Sequence, residues 1–143
     1  MTLEYLHLSA GSALPPLRDA PFRAVVVVEQ EVTHEWREQV SKWLVAGGCL
    51  YMMAWGQDCS LWDDSVDYAN LDEFAYGDIP EDRFVMTTWH EKQSLSDVFW
   101  FAEHCASHST IELEAIVILD IVPVSREAEM LAHYERAIGE CAL

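Results

Sequence analysis

Three carboxylates and one imidazole stand where a parallel α/β chain places its chemistry. Glu29 closes an apolar run at 23–29, and Asp58 follows a second at 49–54. His90 follows a third at 83–89, and Asp120 lies near the end of a fourth at 113–121. In open parallel sheets ligands bind beyond the carboxyl ends of the strands. Gathered there, Glu29, Asp58, His90 and Asp120 could hold a divalent metal or supply a general acid and a base. That defines one reading of the chain, a metal-dependent hydrolase or other enzyme with an acidic site at the strand ends. The bland counterpart is that strand ends meet water and carry polar side chains anyway.

Familiar versions of such a site fail on particular residues. The segment 29–33 contains no glycine, so neither a Rossmann nor a P-loop phosphate cradle is present. Glu29, Glu31 and Asp58 loosely mimic the acids of a receiver-type phosphoacceptor domain, but no Lys follows Asp120–Pro123. A toprim-like metal site fits at Glu29 and lacks its second acid at Val122. His104 and His108 are four apart, a spacing that suits two imidazoles on one metal. The Glu of a His-Glu-x-x-His motif is missing, however, and Ser107 and Ser109 favour a solvated helix end. His34 and His90 stand at helix entrances and read as caps. Cys59 lies beside Asp58, and a neighbouring acid makes a thiol a poor nucleophile. The sequence therefore assigns no cofactor and no metal ion.

A different pattern is stronger. From Trp43 through Asp82 there is no Lys or Arg, while nine acids occur: Asp58, Asp63, Asp64, Asp67, Asp72, Glu73, Asp78, Glu81 and Asp82. Trp62, Tyr68, Leu71, Phe74 and Tyr76 are interleaved with them. Aromatic anchors mixed with one sign of charge suit an interface for a basic protein. Trp55, Asp58, Trp62, Asp63, Asp64, Asp67, Asp72 and Glu73 are the expected contact residues. Trp36, Trp43, Phe99 and Phe101 read as core; Trp55, Trp62, Trp89 and Trp100 fall nearer loops, where exposed Trp serves binding.

The elements that position these residues follow from period and punctuation. Arg23–Glu29, Cys49–Ala54, Arg83–Trp89 and Leu113–Ile121 read as four strands, short and apolar enough to be buried on both faces. Thr33 caps a helix to about Ala46 with Trp36, Val40, Trp43 and Leu44 on one stripe, and Gly47 and Gly48 stop it. A short helix is expected somewhere in 60–75. Ser94 with Asp97 opens another to about Ser107, and Ser125 caps a last one to about Ile138. Strands alternating with helices predict an α/β fold, a small Rossmann-like or flavodoxin-like three-layer sandwich around a mainly parallel four-stranded sheet. Residues 1–143 read as a single domain with an irregular N-terminal arm at 1–22, in which Leu3, Tyr5 and Leu8 pack or add a short strand.

Bulk composition narrows the function. The chain has 143 residues, half of them hydrophobic, with six Trp, so it can bury a core. Eight basic residues against 25 acidic ones give a net charge of −17. That excludes direct binding to nucleic acid or an anionic membrane, both of which need a positive footprint. Cys49, Cys59, Cys105 and Cys141 form no close pair of the zinc or redox kind. The N-terminus lacks the basic-then-apolar pattern of a signal peptide, and no apolar run reaches the roughly 18 residues of a membrane span. A cytoplasmic protein with free thiols is expected.

Arg23–Glu29, Tyr51–Asp67 and Phe84–His90 resemble an uncharacterised family of small acidic bacterial α/β domains. The resemblance covers most of the chain and implies no assigned activity and no catalytic residue. Charge and size, independently of it, favour a non-enzymatic interaction module for a basic partner. An immunity or antitoxin protein that plugs the positive site of a toxin domain is one instance.

Overall fold

Five strands, β1 (Thr2–Leu8), β2 (Phe22–Val28), β3 (Cys49–Gly56), β4 (Met86–Trp89) and β5 (Ala115–Ile121), form one sheet in the order β1-β5-β2-β3-β4. Every pair is parallel. The computed structural model of the chain describes residues 2–17 and 20–139. β2 and β5 sit at the centre and are buried along their whole length. This is why they read as unbroken apolar runs rather than as alternation.

The sheet has one strand more than the sequence predicts. Of the two options for Leu3, Tyr5 and Leu8, a packed arm or a short strand, residues 2–8 take the second and form an edge strand, registered from Thr2 on Ala115 to Leu8 on Ile121. Its side chains are mostly half-buried, so its own apolar signal is diluted. β4 is also shorter than expected, because residues 81–83 form a 3-10 turn before it.

Among the described residues three helices connect strands, α1 (His34–Ala46), α2 (Cys59–Glu73) and α3 (Leu95–His104), and a fourth, α4 (Glu127–Gly139), follows β5. The Thr33 side chain caps α1 by accepting the Trp36 N–H at 3.1 Å, and Ser94 does the same for Asp97 in α3 at 3.1 Å. α3 ends at His104, three residues before the expected Ser107. Arg23, buried in β2, donates to the carbonyls of Ala102, Ala106 and Leu113. A cation thus satisfies the Ala102 and Ala106 carbonyls at the end of α3, and with them the Leu113 carbonyl just before β5. α4 begins at Glu127, and the Met130 N–H bonds to the Arg126 carbonyl, so the helix starts later than a cap at Ser125 implies.

Alternate strand residues feed two apolar clusters. Ala24, Val26, Val28, Met52 and Ala54 pack with Trp36, Val40 and Leu44 of α1 and Trp62 and Val66 of α2. Val25, Val27 and Met53 pack with Val98 and Phe99 of α3 and Met130 and Tyr134 of α4. Among the described residues no helix is long and apolar enough to cross a membrane.

The turn from β3 into α2 fixes where the acidic helix begins and which way it faces. Gly56 has φ +101°, and a Cβ there would lie 2.1 Å from the Val28 carbonyl oxygen. Only glycine fits. The next N–H, of Gln57, bonds to the same carbonyl at 2.8 Å. Asp58 then adopts φ 56° and launches α2, a full 15-residue helix where the sequence suggests a short one.

Candidate functional site

Two groups of carboxylates lie on this frame. The first is at the carboxyl edge of the sheet, where β2 leads to α1 and β5 leads to α4. Because these helices join different apolar clusters, the β2–β5 crevice is the switch point at which open sheets bind ligands. Here Arg126 fills it. Its Nε donates to Asp120 Oδ2 at 2.9 Å, and its Nη2 donates to Asp120 Oδ1 at 3.0 Å and to Glu29 Oε1 at 2.8 Å. The Tyr5 hydroxyl donates to Asp120 Oδ2 at 2.7 Å and accepts the Arg126 backbone N–H at 3.0 Å. Asp120 is fully buried. The hydrogen bonds to Asp120 raise the Arg126 pKa, partly opposed by burial, and burial first of all raises that of Tyr5. The guanidinium stays charged and Asp120 is fully paired.

His90 and Asp58 do not join that group. The His90 ring nitrogens meet Gln93 Oε1 at 2.7 Å and Thr88 Oγ1 at 2.8 Å, and the ring stands edge-on to Phe101. The imidazole is buried and fully engaged. Asp58 is the exposed residue before α2 and makes no side-chain cap. Of the four expected catalytic groups, then, the structure joins Glu29 to Asp120 through Arg126 and leaves Asp58 and His90 apart from them. The histidine pair also separates: His104 is the last residue of α3, whereas His108 lies beyond it and bonds to the Phe84 carbonyl at 2.8 Å. Cys59 is buried, and its thiol is pushed up chiefly by that burial. Cys49 is pushed up to about 12 for the same reason. Cys49, Cys59 and Cys105 are free thiols; Cys141 lies outside the described residues.

The second group is on α2 and β4, the acidic stretch. Helical period sorts its residues. Cys59, Trp62, Asp63, Val66, Ala69 and Asn70 form the buried stripe. Trp62 is therefore not a surface anchor, as its place among acids suggests, but core: it is fully buried and edge-on to Trp36 at 6.4 Å. Asp63 is likewise turned inward, only 5% exposed. Asp58, Asp64, Asp72 and Glu73 are exposed, and Glu73 pairs with Arg83 at 3.2 Å. Trp55 is half-buried and donates to the Gln93 carbonyl at 2.8 Å.

Other side chains take the role of anchors. Leu61, Tyr68, Tyr76, Phe84, Met86 and Trp89 are all exposed, and all lie on α2, on β4 or on the connection between them. Asn70 holds that connection: its amide donates to the Arg83 carbonyl at 3.1 Å and accepts the Val85 N–H at 2.9 Å. A groove of about 420 Å³ separates α1 from α2, with Leu61, Tyr68, Asp72 and Tyr76 on one side and Arg37 and Lys42 of α1 on the other.

Within this face Asp63, Asp64 and Asp67 approach one another, each with an oxygen within 4.8 Å of the others. Thr87 of β4 donates to Asp67 Oδ1 at 2.6 Å. Burial, then the Asp67 charge, push the Asp63 carboxyl up to about 6. The signal for this triad is present in the spacing, since residues four apart share a helix face; it needs α2 to be a helix. Nothing comparable in the sequence marks Arg126 or Tyr5.

Comparison with curated proteins and with solved structures finds no match. The family model described as Domain of unknown function (DUF7684) matches residues 3–137, and the chain belongs to that family.

Proposed function

We propose that this chain is a non-enzymatic binding module whose α2–β4 face docks a basic protein. One coincidence carries the reading. The stretch that lacks Lys and Arg between Trp43 and Asp82 holds three exposed large apolar side chains, Leu61, Tyr68 and Tyr76, and three more, Phe84, Met86 and Trp89, follow just beyond Arg83, which is itself paired with Glu73. Apolar anchors supply affinity at such interfaces, and surrounding charge of one sign speeds encounter and selects the partner. The net charge of −17 extends that attraction over the whole surface. β4 lies at the sheet edge, and the α1–α2 groove, lined by Leu61, Tyr68 and Tyr76, gives an anchor of the partner a place to insert. On a three-layer arrangement, this face is the one α1 and α2 cover. A cytoplasmic immunity or antitoxin protein, which masks a basic toxin domain, fits these properties. The enzyme alternative draws less support, because Arg126 already pairs with both Asp120 and Glu29.

The test is affinity capture from the native host, followed by calorimetry on the purified pair. A basic partner is expected, with affinity falling steeply as salt rises and falling at least tenfold in Trp89→Ala and Tyr68→Ala, a hot-spot loss of about 1.4 kcal/mol or more. A partner indifferent to salt, or bound equally by both variants, overturns the reading.

A further inference from the structure

The Asp63, Asp64 and Asp67 carboxylates do not resemble an ordinary solvated acidic face. Asp63 is only 5% exposed, and its Oδ2 is buried without a hydrogen-bond donor. A buried carboxylate oxygen that lacks a donor costs free energy until something positive reaches it. No protein cation does so: none of the ion pairs among the described residues involves Asp63, Asp64 or Asp67.

We propose that these three carboxylates bind one hard divalent cation of the Ca²⁺, Mn²⁺ or Mg²⁺ class. Each offers an oxygen within 4.8 Å of the other two. Opposed oxygens around one ion sit at about twice the metal–oxygen distance, roughly 4.2 Å for Mg²⁺ and about 5 Å for Ca²⁺. The 4.8 Å limit lies inside the span of a Ca²⁺ shell and outside that of Mg²⁺, so the set suits the larger ion of the class first. The set is all oxygen, which selects hard ions over thiophilic ones. The site is also held rigid. Asp63 and Asp67 are one turn apart on α2, and the Thr87 hydroxyl fixes Asp67 from β4 at 2.6 Å. An outer hydrogen bond of that kind orients a ligand and tunes its affinity. The Asp63 carboxylate, whose Oδ2 is unpartnered, brings one of its oxygens into this set.

The site is separate from the docking reading and stands or falls without it. The full chain, stripped with EDTA and dialysed at pH 7.5, is titrated calorimetrically with CaCl₂, MnCl₂ and MgCl₂ at constant ionic strength. One saturable site is expected for at least one ion, with a rise in melting temperature on saturation. Asp63→Asn and Asp67→Asn abolish it, and Thr87→Val weakens it about tenfold. Asp78→Asn, which removes an equal charge elsewhere, leaves it intact. Circular dichroism verifies that each variant is folded. Absence of saturable binding overturns the proposal, as does binding that Asp67→Asn retains or that Asp78→Asn reduces equally.

Discussion

The two carboxylate groups solve the same problem in opposite ways. At the carboxyl edge, Asp120 is fully buried and meets a cation from its own chain, Arg126, in a two-pronged contact with Tyr5 as a third partner. On α2, Asp63 is almost as buried but has two further acids beside it and no cation. Removing a charge from water is tolerated when a partner replaces the water. The first group has been completed internally, and it closes the crevice where an open sheet would take a ligand. The second is left incomplete, on the face that also exposes apolar anchors. A molecule that leaves a buried carboxylate uncompensated there is arranged to receive positive charge from outside.

The largest effect should come from undoing the completed group. Arg126→Ala strands Asp120 with only the Tyr5 hydroxyl, and urea denaturation should show a loss of about 3–5 kcal/mol. Replacing both partners together, Asp120→Leu with Arg126→Leu, should recover most of it, because the penalty lies in the unpaired charge rather than in the lost pair. A loss below about 1 kcal/mol in Arg126→Ala would put the two groups on the same footing and remove the contrast.

The incomplete group should respond with the opposite sign. Asp63 titrates near 6 in the folded chain against an ordinary 3.8, so the folded state holds the proton more tightly. Its contribution to stability is full below about pH 3.8 and is lost as pH rises through 6. Asp63→Asn removes that loss. In EDTA the variant should be more stable than the parent at pH 8, by on the order of 1 kcal/mol after allowance for solvent screening. The gap should close as pH falls toward about 4. A variant less stable at pH 8 would mean that ionised Asp63 is already compensated.

How much of this is legible in the chain depends on whether the signal is local. β2 and α1 are, because valine repetition and the Thr33 cap act over a few residues. β1 is less so, and reads as either an arm or a short strand: among the described residues it is an edge strand whose partner, β5, comes from the far end of the chain. α2 is obscured because Asp58, with φ 56° and no side-chain cap, lacks the usual start signal, and Asp63 and Asn70 interrupt its apolar stripe. The same obscurity extends to the site. Trp62 among acids looks like a surface anchor until the helix turns it inward, while Met86 looks like strand interior until β4 proves to be an edge. Arg126 is hidden for a related reason, since its partners Glu29 and Tyr5 lie far away along the chain.

The smallest effect asks how the uncompensated charge is shared within the α2 group itself. Burial raises Asp63 most, the Asp67 charge comes next and the Asp64 charge last; the Thr87 hydroxyl opposes them. Carbon-detected NMR titration of the Asp63 carboxyl should therefore show a clear downward move in Asp67→Asn and a slighter one in Asp64→Asn. Neither should return the group to 3.8, because burial outlasts both neighbours. Asp64 is exposed, so Asp64→Asn should alter overall stability by less than about 0.5 kcal/mol. If Asp64→Asn moves Asp63 as far as Asp67→Asn does, the three carboxylates act as one screened surface patch. Their resemblance to the buried, paired Asp120 would then end at sequence.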